Sequence, residues 1–259
     1  MIFPRPHGFQ PHATPEPRKP APDAAWSVVR DWEPDASAQM ALDQALAESV
    51  WAGTRPPTLR LYGWHAPAVT IGRLQRVGAM RLPAVRRWTG GRAVYHQDEL
   101  TLSLSLPAGH PWIARTVPAT YRNVAAPLLT ALAALGLRLD AGPAPDREPD
   151  GFGCFAAPTP LEAAVGGRKV MALAQRIGPD GLLAQASVPL GPPTAFGAAG
   201  RATMGLRRLL PGLDFETLAG AVEAAYTAAW AAPPADAPPT RSERARARTL
   251  ARGPYAPLC

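Results

Sequence analysis

The chain has 259 residues, 47% of them apolar, with Pro 32 and Gly 23. A core of that size buries roughly 70–75% of the unfolded surface, so the fold needs neither a disulfide framework nor a structural metal. Only two cysteines, Cys154 and Cys259, are present, and the histidines His65, His96 and His110 are too scattered to suggest a metal set. No run approaches the ~18 apolar residues of a membrane span, and the start lacks the apolar core of a signal peptide. A soluble, cytoplasmic protein with no membrane partner is expected. The net charge of +7 comes from 25 arginines and two lysines, Lys19 and Lys169. It brings no nucleic-acid recognition motif with it, so no nucleic-acid partner is expected.

Residues 1–25 carry seven prolines and few large apolar side chains, which predicts a disordered tail. Ser37 can cap a helix running to about Trp51, with Met40, Leu42, Leu46 and Val50 on its apolar face. Leu59–Tyr62 and Ala68–Gly72 read as short strands around the Gly63-Trp64-His65 turn. Val94–Leu106 is the clearest strand, because Leu102, Leu104 and Leu106 alternate with Thr101, Ser103 and Ser105, one face buried. Pro118–Leu135 reads as a helix ended by Gly136. A Pro/Gly/Asp loop from Ala141 to Gly153 then delivers Cys154. Leu161–Val165 and Arg168–Ile177 form a hairpin around Gly166-Gly167, followed by a strand over Leu182–Leu190. Asp214 caps a last amphipathic helix through Leu218, Val222, Tyr226 and Trp230. The pattern predicts an α/β (α+β) fold, a mixed central sheet flanked by helices, over residues 26–232. Residues 233–259 read as a linker and a basic helical extension.

Three segments could carry chemistry. The run Arg86-Arg87-Trp88-Thr89-Gly90-Gly91-Arg92-Ala93-Val94-Tyr95-His96 lets backbone N–H groups approach a ligand and adds cationic charge; a tight turn with solvated arginines fits it as well. It is neither a Walker A loop nor a dinucleotide fingerprint. Gly153-Cys154-Phe155 offers a thiol that is either an inert buried residue or, beside a cation, a nucleophile. Lys169 is the only lysine between the predicted tail and the end of the chain, in a sequence that uses arginine wherever charge alone is wanted. An amine there can polarise a carbonyl or carry a proton, or it can be an exposed hairpin charge.

The segments Met40-Ala41-Leu42-Asp43, Arg60-Leu61-Tyr62-Gly63-Trp64, Ile71-Gly72-Arg73-Leu74-Gln75, Arg87-Trp88-Thr89-Gly90-Gly91-Arg92-Ala93-Val94, Glu99-Leu100-Thr101 and Gly167-Arg168-Lys169 occur in this order. From about Trp26 to Leu190 the chain resembles the lipoate–protein ligase and octanoyltransferase superfamily, related in fold to biotin–protein ligases. Within it, Cys154-Phe155 ahead of the Gly-Arg-Lys hairpin and Arg92 after Gly90-Gly91 look most like the cysteine-dependent octanoyltransferases of the Gram-positive type.

The resemblance implies acyl transfer without a cofactor, with Cys154 and Lys169 catalytic. It also implies that Arg87, Thr89, Gly90, Gly91, His96, Gln75 and Gln175 bind the substrate. The implied donor is octanoyl-acyl carrier protein. The implied acceptor is a lysine of a lipoyl domain, from a 2-oxoacid dehydrogenase or the glycine cleavage H protein. Related activities are an ATP- and Mg-dependent lipoate ligase and a lipoyl-domain-to-lipoyl-domain amidotransferase. Two departures stand out: Ala172-Leu173-Ala174-Gln175 replaces the usual Gly-Ser-Ala-Gln, and Gln185-Ala186 replaces His-Gly before Ser187. Leu173 is expected to reshape the acyl tunnel, and the two together are compatible with a divergent, inactive paralogue.

Overall fold

A computed structural model of the chain describes residues 25–76, 84–141, 153–156, 163–197 and 203–258. Residues 1–24 of the predicted 1–25 tail, most of the Ala141–Gly153 loop, the first two residues of the Leu161–Val165 strand and Cys259 lie outside them. In chain order the elements are β1 (Ser27–Arg30), α1 (Ala36–Trp51), β2 (Thr58–Tyr62), β3 (Ala68–Ile71), β4 (Ala84–Arg86), β5 (Val94–His96), β6 (Glu99–Pro107) and α2 (Val117–Ala134). They continue with β7 (Asp140–Ala141), β8 (Ala163–Val165), β9 (Arg168–Lys169), β10 (Ala172–Ile177), β11 (Gly181–Pro189), α3 (Phe215–Trp230), β12 (Ala235–Asp236) and α4 (Arg241–Arg252). Among the described residues no helix is long and apolar enough to cross a membrane.

The main sheet has the order β10-β11-β6-β2-β1-β12, antiparallel from β10 to β2 and parallel from β2 to β12. Leu100, Leu102, Leu104 and Leu106 of β6 turn one face toward α2 and α3, where Val124, Leu128, Val222 and Tyr226 complete the core. The opposite face is buried as well, contrary to expectation: Thr101, Ser103 and Ser105 are 2–3% exposed because α1 lies over them. The Thr101 and Ser103 hydroxyls donate to buried carboxylates, Glu99 and Asp43, rather than to water.

Two predicted strands are each divided between sheets. Val94–Leu106 breaks at Gln97-Asp98, so that β5 joins the small sheet β4-β3-β5 while β6 joins the main one. Arg168–Ile177 breaks at Val170-Met171, both fully buried where the chain crosses from the β7-β8-β9 sheet to the main sheet. Gly166 and Gly167, with φ of 56° and 74°, form the two-residue turn of the β8–β9 hairpin, which requires positive φ at both positions.

The helix caps follow side-chain reach. Asp35, not Ser37, caps α1, its Oδ1 accepting from the Ala38 N–H at 2.9 Å. Asp214 caps α3 as expected. The stretch read as a linker supplies β12, paired with β1. Beyond it, Thr240 and Glu243 form a capping box at the start of α4. Glu243 also receives two hydrogen bonds from Arg55, at 2.7 and 2.8 Å, in a pair about 5% exposed. Arg244 pairs with Asp31 and Glu33, and Arg246 with Glu48. Much of the basic C-terminal stretch is therefore a fastening of α4 onto the body through carboxylates of the same chain.

Candidate active site

The site grows from the end of β3. The Arg87 N–H donates to Ile71 O at 2.8 Å and the Arg73 N–H to Thr89 O at 2.9 Å, which folds residues 87–92 back against the strand. The approach is so close that a Cβ on Gly72 would lie 1.7 Å from Gly91 O, so only glycine fits there. Arg87 braces the loop from inside. Its Nη1 donates to Thr70 O (2.9 Å) and Thr70 Oγ1 (2.8 Å), and its Nη2 to Gly90 O and Arg92 O (2.9 Å each). Burial lowers its pKa to about 10, against the opposing pull of the Cys154 and Tyr62 charges. Carbonyl dipoles, not a carboxylate, solvate this cation.

Cys154 arrives on the same scaffold. Gly153 bridges Ala93 in parallel fashion, and the Cys154 N–H donates to Ala93 O at 2.7 Å. Lys169, 4% exposed at the end of β9, sends its ammonium to Cys154 O at 2.9 Å and to Cys154 Sγ at 3.2 Å. The β9–β10 break that the sequence pattern concealed places it there. The half-buried thiol keeps access to solvent while facing a cation, the environment in which thiolates act as nucleophiles.

Cys154 opens onto a narrow cavity between α1, β5, β10 and β11, its exposed wall almost entirely apolar. Met40, Val94, Leu173 and Ala174 supply apolar wall; Arg87, His96 and Gln185 also line it.

Two buried networks stiffen the wall. Asp43 on α1 accepts from Arg60 Nη1 and Ser103 Oγ at one oxygen (2.7 Å each), and from Tyr62 OH (2.9 Å) and Gln185 Nε2 (2.6 Å) at the other. Gln185 Oε1 in turn accepts from Thr89 Oγ1 at 2.7 Å, tying the Gly-rich loop to the helix. In the second network His96 Nδ1 donates to Glu99 Oε1 at 2.8 Å, while its Nε2 lies 2.7 Å from Thr70 Oγ1, the hydroxyl that Arg87 also reaches. The ring stacks on Trp64, centroids 4.0 Å apart, and Ser187 donates to the other Glu99 oxygen at 2.7 Å.

The structure thus puts Cys154, Arg87 and His96 on the cavity wall, with Lys169 against Cys154 and with Gly90 and Gly91 in the loop that Arg87 braces. Thr89 belongs to the same loop, but its side chain is fully buried on Gln185. Gln75 and Gln175 fall outside the cavity wall. Gln75 Oε1 turns back to the Gly72 N–H (3.3 Å), closing its own turn. Gln175 follows Ala174 on β10 and therefore projects to the opposite face, where its Nε2 donates to Val117 O at 2.8 Å. Asp43, Tyr62, Thr70 and Glu99 were not singled out from the sequence as site residues. An aspartate three residues after Met40, within a helix stripe that is otherwise apolar, is the signal that could have found Asp43. Among the described residues no group of three His, Cys, Asp or Glu side chains could hold a metal ion.

Residues 35–193 match the family described as the lipoyl protein ligase A/B catalytic domain. Among curated relatives, the chain is 36% identical over 186 residues to Octanoyltransferase LipM of Exiguobacterium sp., covering 64% of this chain and 66% of the relative. It is 39% identical over 170 residues to the LipM octanoyltransferase of Symbiobacterium thermophilum, covering 58% and 60%. The chain spans just under two thirds of the length of the first of these relatives. Two solved structures share the fold. A lipoate–protein ligase A bound with ATP has a TM-score of 0.70 at 18% identity, covering 88% of this chain and 95% of that one. The bipartite lipoate protein ligase of Thermoplasma acidophilum, solved in a study of that ligase and its E2 lipoyl domain, has a TM-score of 0.67 at 17% identity, covering 88% and 92%. With a match over more than half its length, and with Cys154 and Arg87 on one apolar cavity and Lys169 against the cysteine, the chain belongs to the lipoyl protein ligase A/B catalytic domain family.

Proposed function

We propose that this protein is a protein N-octanoyltransferase that works through a thioester on Cys154. The observation that carries the reading is the Cys154 Sγ–Lys169 Nζ separation of 3.2 Å at the wall of an apolar cavity. In the first half-reaction the Cys154 thiolate attacks the carbonyl of octanoyl-acyl carrier protein. The carbonyl–sulfur bond to the carrier breaks, and the carrier thiol leaves with a proton. In the second, a lysine amine of a lipoyl domain attacks the octanoyl-enzyme, an amide forms, the amine loses a proton and the Cys154 thiolate is released. Splitting the transfer in two lets one nucleophile serve both steps. Lys169 holds the acyl carbonyl and relays protons, and the cavity takes the alkyl chain. The thioester is already activated, so the reaction as written consumes no ATP and calls for no metal. The cytoplasm, where thiols stay reduced, is the compartment this chemistry suits.

Both sequence departures, Leu173 and Gln185, line the cavity. Gln185 has hydrogen-bond partners at both ends of its amide, which favours a working variation over decay of the site. The test is intact-protein mass after incubation with octanoyl-acyl carrier protein. One octanoyl group should be gained, labile to hydroxylamine, lost in Cys154→Ser and retained in Cys259→Ser. An adduct that requires free acid and ATP would make the protein a ligase. An acyl group accepted only from an octanoylated H protein would make it an amidotransferase. Either result overturns the assigned donor.

A further inference from the structure

The arginines that hold this fold together have partners: Arg55 and Arg60 on carboxylates, Arg87 on carbonyls, Arg244 and Arg246 on carboxylates of the body. A different set lies on the segments next to the cavity wall. Along β10, Ala172, Ala174 and Arg176 share one face, and the two alanines line the cavity. Opposite Ala174 stands Gly91, exposed, a Cβ on which would be 3.7 Å from the Ala174 Cβ; that gap is the rim. Arg92 follows Gly91, and Arg73 is tied to the same loop through Thr89 O. Arg176 stacks on Trp88 at 4.5 Å, which fixes its guanidinium, and it lies close enough to Arg73 for the two charges to repel. Among the described residues none of Arg73, Arg92 and Arg176 pairs with a carboxylate. Beside Arg73, Leu74 is 88% exposed, the most exposed large apolar side chain described.

Arg73 and Arg176, like charges held close without carboxylate counter-ions, beside an exposed leucine and on segments next to an apolar cavity, are costly unless something anionic covers them. We propose that Arg73, Leu74, Arg92 and Arg176 form the docking surface for an acidic protein domain, the carrier that delivers the acyl thioester to Cys154. The inference rests on the acyl-transfer reading above. It also relocates the cationic patch: α4, densest in arginine, uses Arg244 and Arg246 on its own chain's carboxylates.

The experiment compares the rate of Cys154 acylation by octanoyl-acyl carrier protein with that by octanoyl-pantetheine, which has no protein surface. Complementary charge raises association rates by roughly 10–10³. The Arg73→Glu/Arg176→Glu double variant should therefore lose at least tenfold with the carrier protein at low salt. It should stay within twofold of the unmodified protein with the small thioester. The difference should shrink toward 1 M salt, where the Debye length falls to about 3 Å. Leu74→Ser should slow the carrier reaction several-fold at any salt. Arg138→Glu is the control; it lies past the far end of α2, about 27 Å along the helix from the end that Gln175 contacts, and should change neither rate. An unchanged carrier rate overturns the proposal, as does an equal loss with both donors, which would mean damage to the site. A normal first step with slowed transfer to the lipoyl domain would assign the surface to the acceptor and overturn it as stated. If the unmodified protein is acylated by neither donor, the acyl-transfer reading fails on its own. The rim is then judged by direct binding of the acidic carrier protein, which the double variant should abolish and which equal binding would refute.

Discussion

Replacing Gly72 with alanine puts the loop architecture to its most direct test. The added methyl group would sit 1.7 Å from Gly91 O, whereas real Cβ atoms essentially never come within 3.0 Å of a neighbour, so more than an ångström of separation has to be found. The atom in the way is backbone, and the carbonyls on either side of it, Gly90 O and Arg92 O, are held by Arg87. The strain cannot relax through a side-chain rotation; either the end of β3 or the whole 89–92 loop must shift. Overpacking of this kind costs about 1–3 kcal/mol. For a chain of this size that corresponds to a Tm lower by about 2–12 °C. The functional cost should be larger in proportion, because a displacement of about 1 Å at a reacting site can reduce rates by roughly 10²-fold. Differential scanning fluorimetry and the rate of Cys154 acylation measure the two effects separately. Gly90→Ala is the internal comparison for stability, since a Cβ there meets nothing within 4 Å and Tm should barely move. If Gly72→Ala keeps both the unmodified Tm and the unmodified acylation rate, close approach of loop to strand does not set the site.

Three further outcomes follow from the same geometry. Asp43→Asn places an amide N–H₂ where two donors now point, and leaves Arg60 buried without its carboxylate; urea denaturation should show a loss of about 3–5 kcal/mol, and a loss below 1 kcal/mol would contradict the network. Burial lowers the His110 imidazole to about 4 from its ordinary 6.5, so the folded state stays neutral while the unfolded chain takes up a proton. Stability from this group is complete above pH 6.5 and declines as pH falls toward 4, by at most about 3 kcal/mol; urea midpoints from pH 8 to 4 should show that slope, and a His110→Gln variant retaining it unchanged would refute the assignment. Under the proposed function, Met40→Ala should deepen the cavity from the α1 side. Each additional methylene it accommodates is worth about 0.8 kcal/mol, or roughly fourfold, so decanoyl, two methylenes longer, should gain on octanoyl by about 15-fold in competition between the two acyl-carrier proteins. No change in preference would mean that Met40 does not limit chain length.

Much of this site was legible because its chemistry lies in local segments. The Gly90-Gly91 pair, the Gly166-Gly167 turn and the cysteine after a Gly-rich loop each carry a short-range signature. Lys169 was conspicuous as a lysine in an arginine-rich body. What stayed hidden is what depends on chain path. Nothing in an alternating apolar run says that it changes sheet at Gln97 or at Val170, yet those two changes put His96 on the cavity wall and Lys169 beside Cys154. The Ser and Thr positions of β6 looked like a solvent face because alternation reports polarity, not burial; α1 covers them. Gln75 and Gln175 matched the family segments by position, but a tight turn and strand alternation direct them elsewhere.

The site combines two degrees of constraint, and the division has a chemical logic. The wall is fixed by buried carboxylates: Asp43 joins α1, β2, β6 and β11 and, through Gln185, the loop; Glu99 joins β5, β6 and β11. Every polar group there that could compete for a carbonyl oxygen is already oriented, so little reorganisation remains when charge develops. Cys154, the nucleophile of the proposed reaction, is held more simply, by one backbone hydrogen bond to Ala93 and by the lysine that grips both its carbonyl and its sulfur. A guanidinium is a planar fork suited to flat carboxylates, whereas these two acceptors belong to one residue and lie 2.9 and 3.2 Å from a single nitrogen. A compact ammonium meets both from one point and, in the proposed reaction, can follow the sulfur as an acyl group is loaded and removed. In a chain that otherwise prefers arginine, that geometry is a physical reason for lysine to stand at position 169.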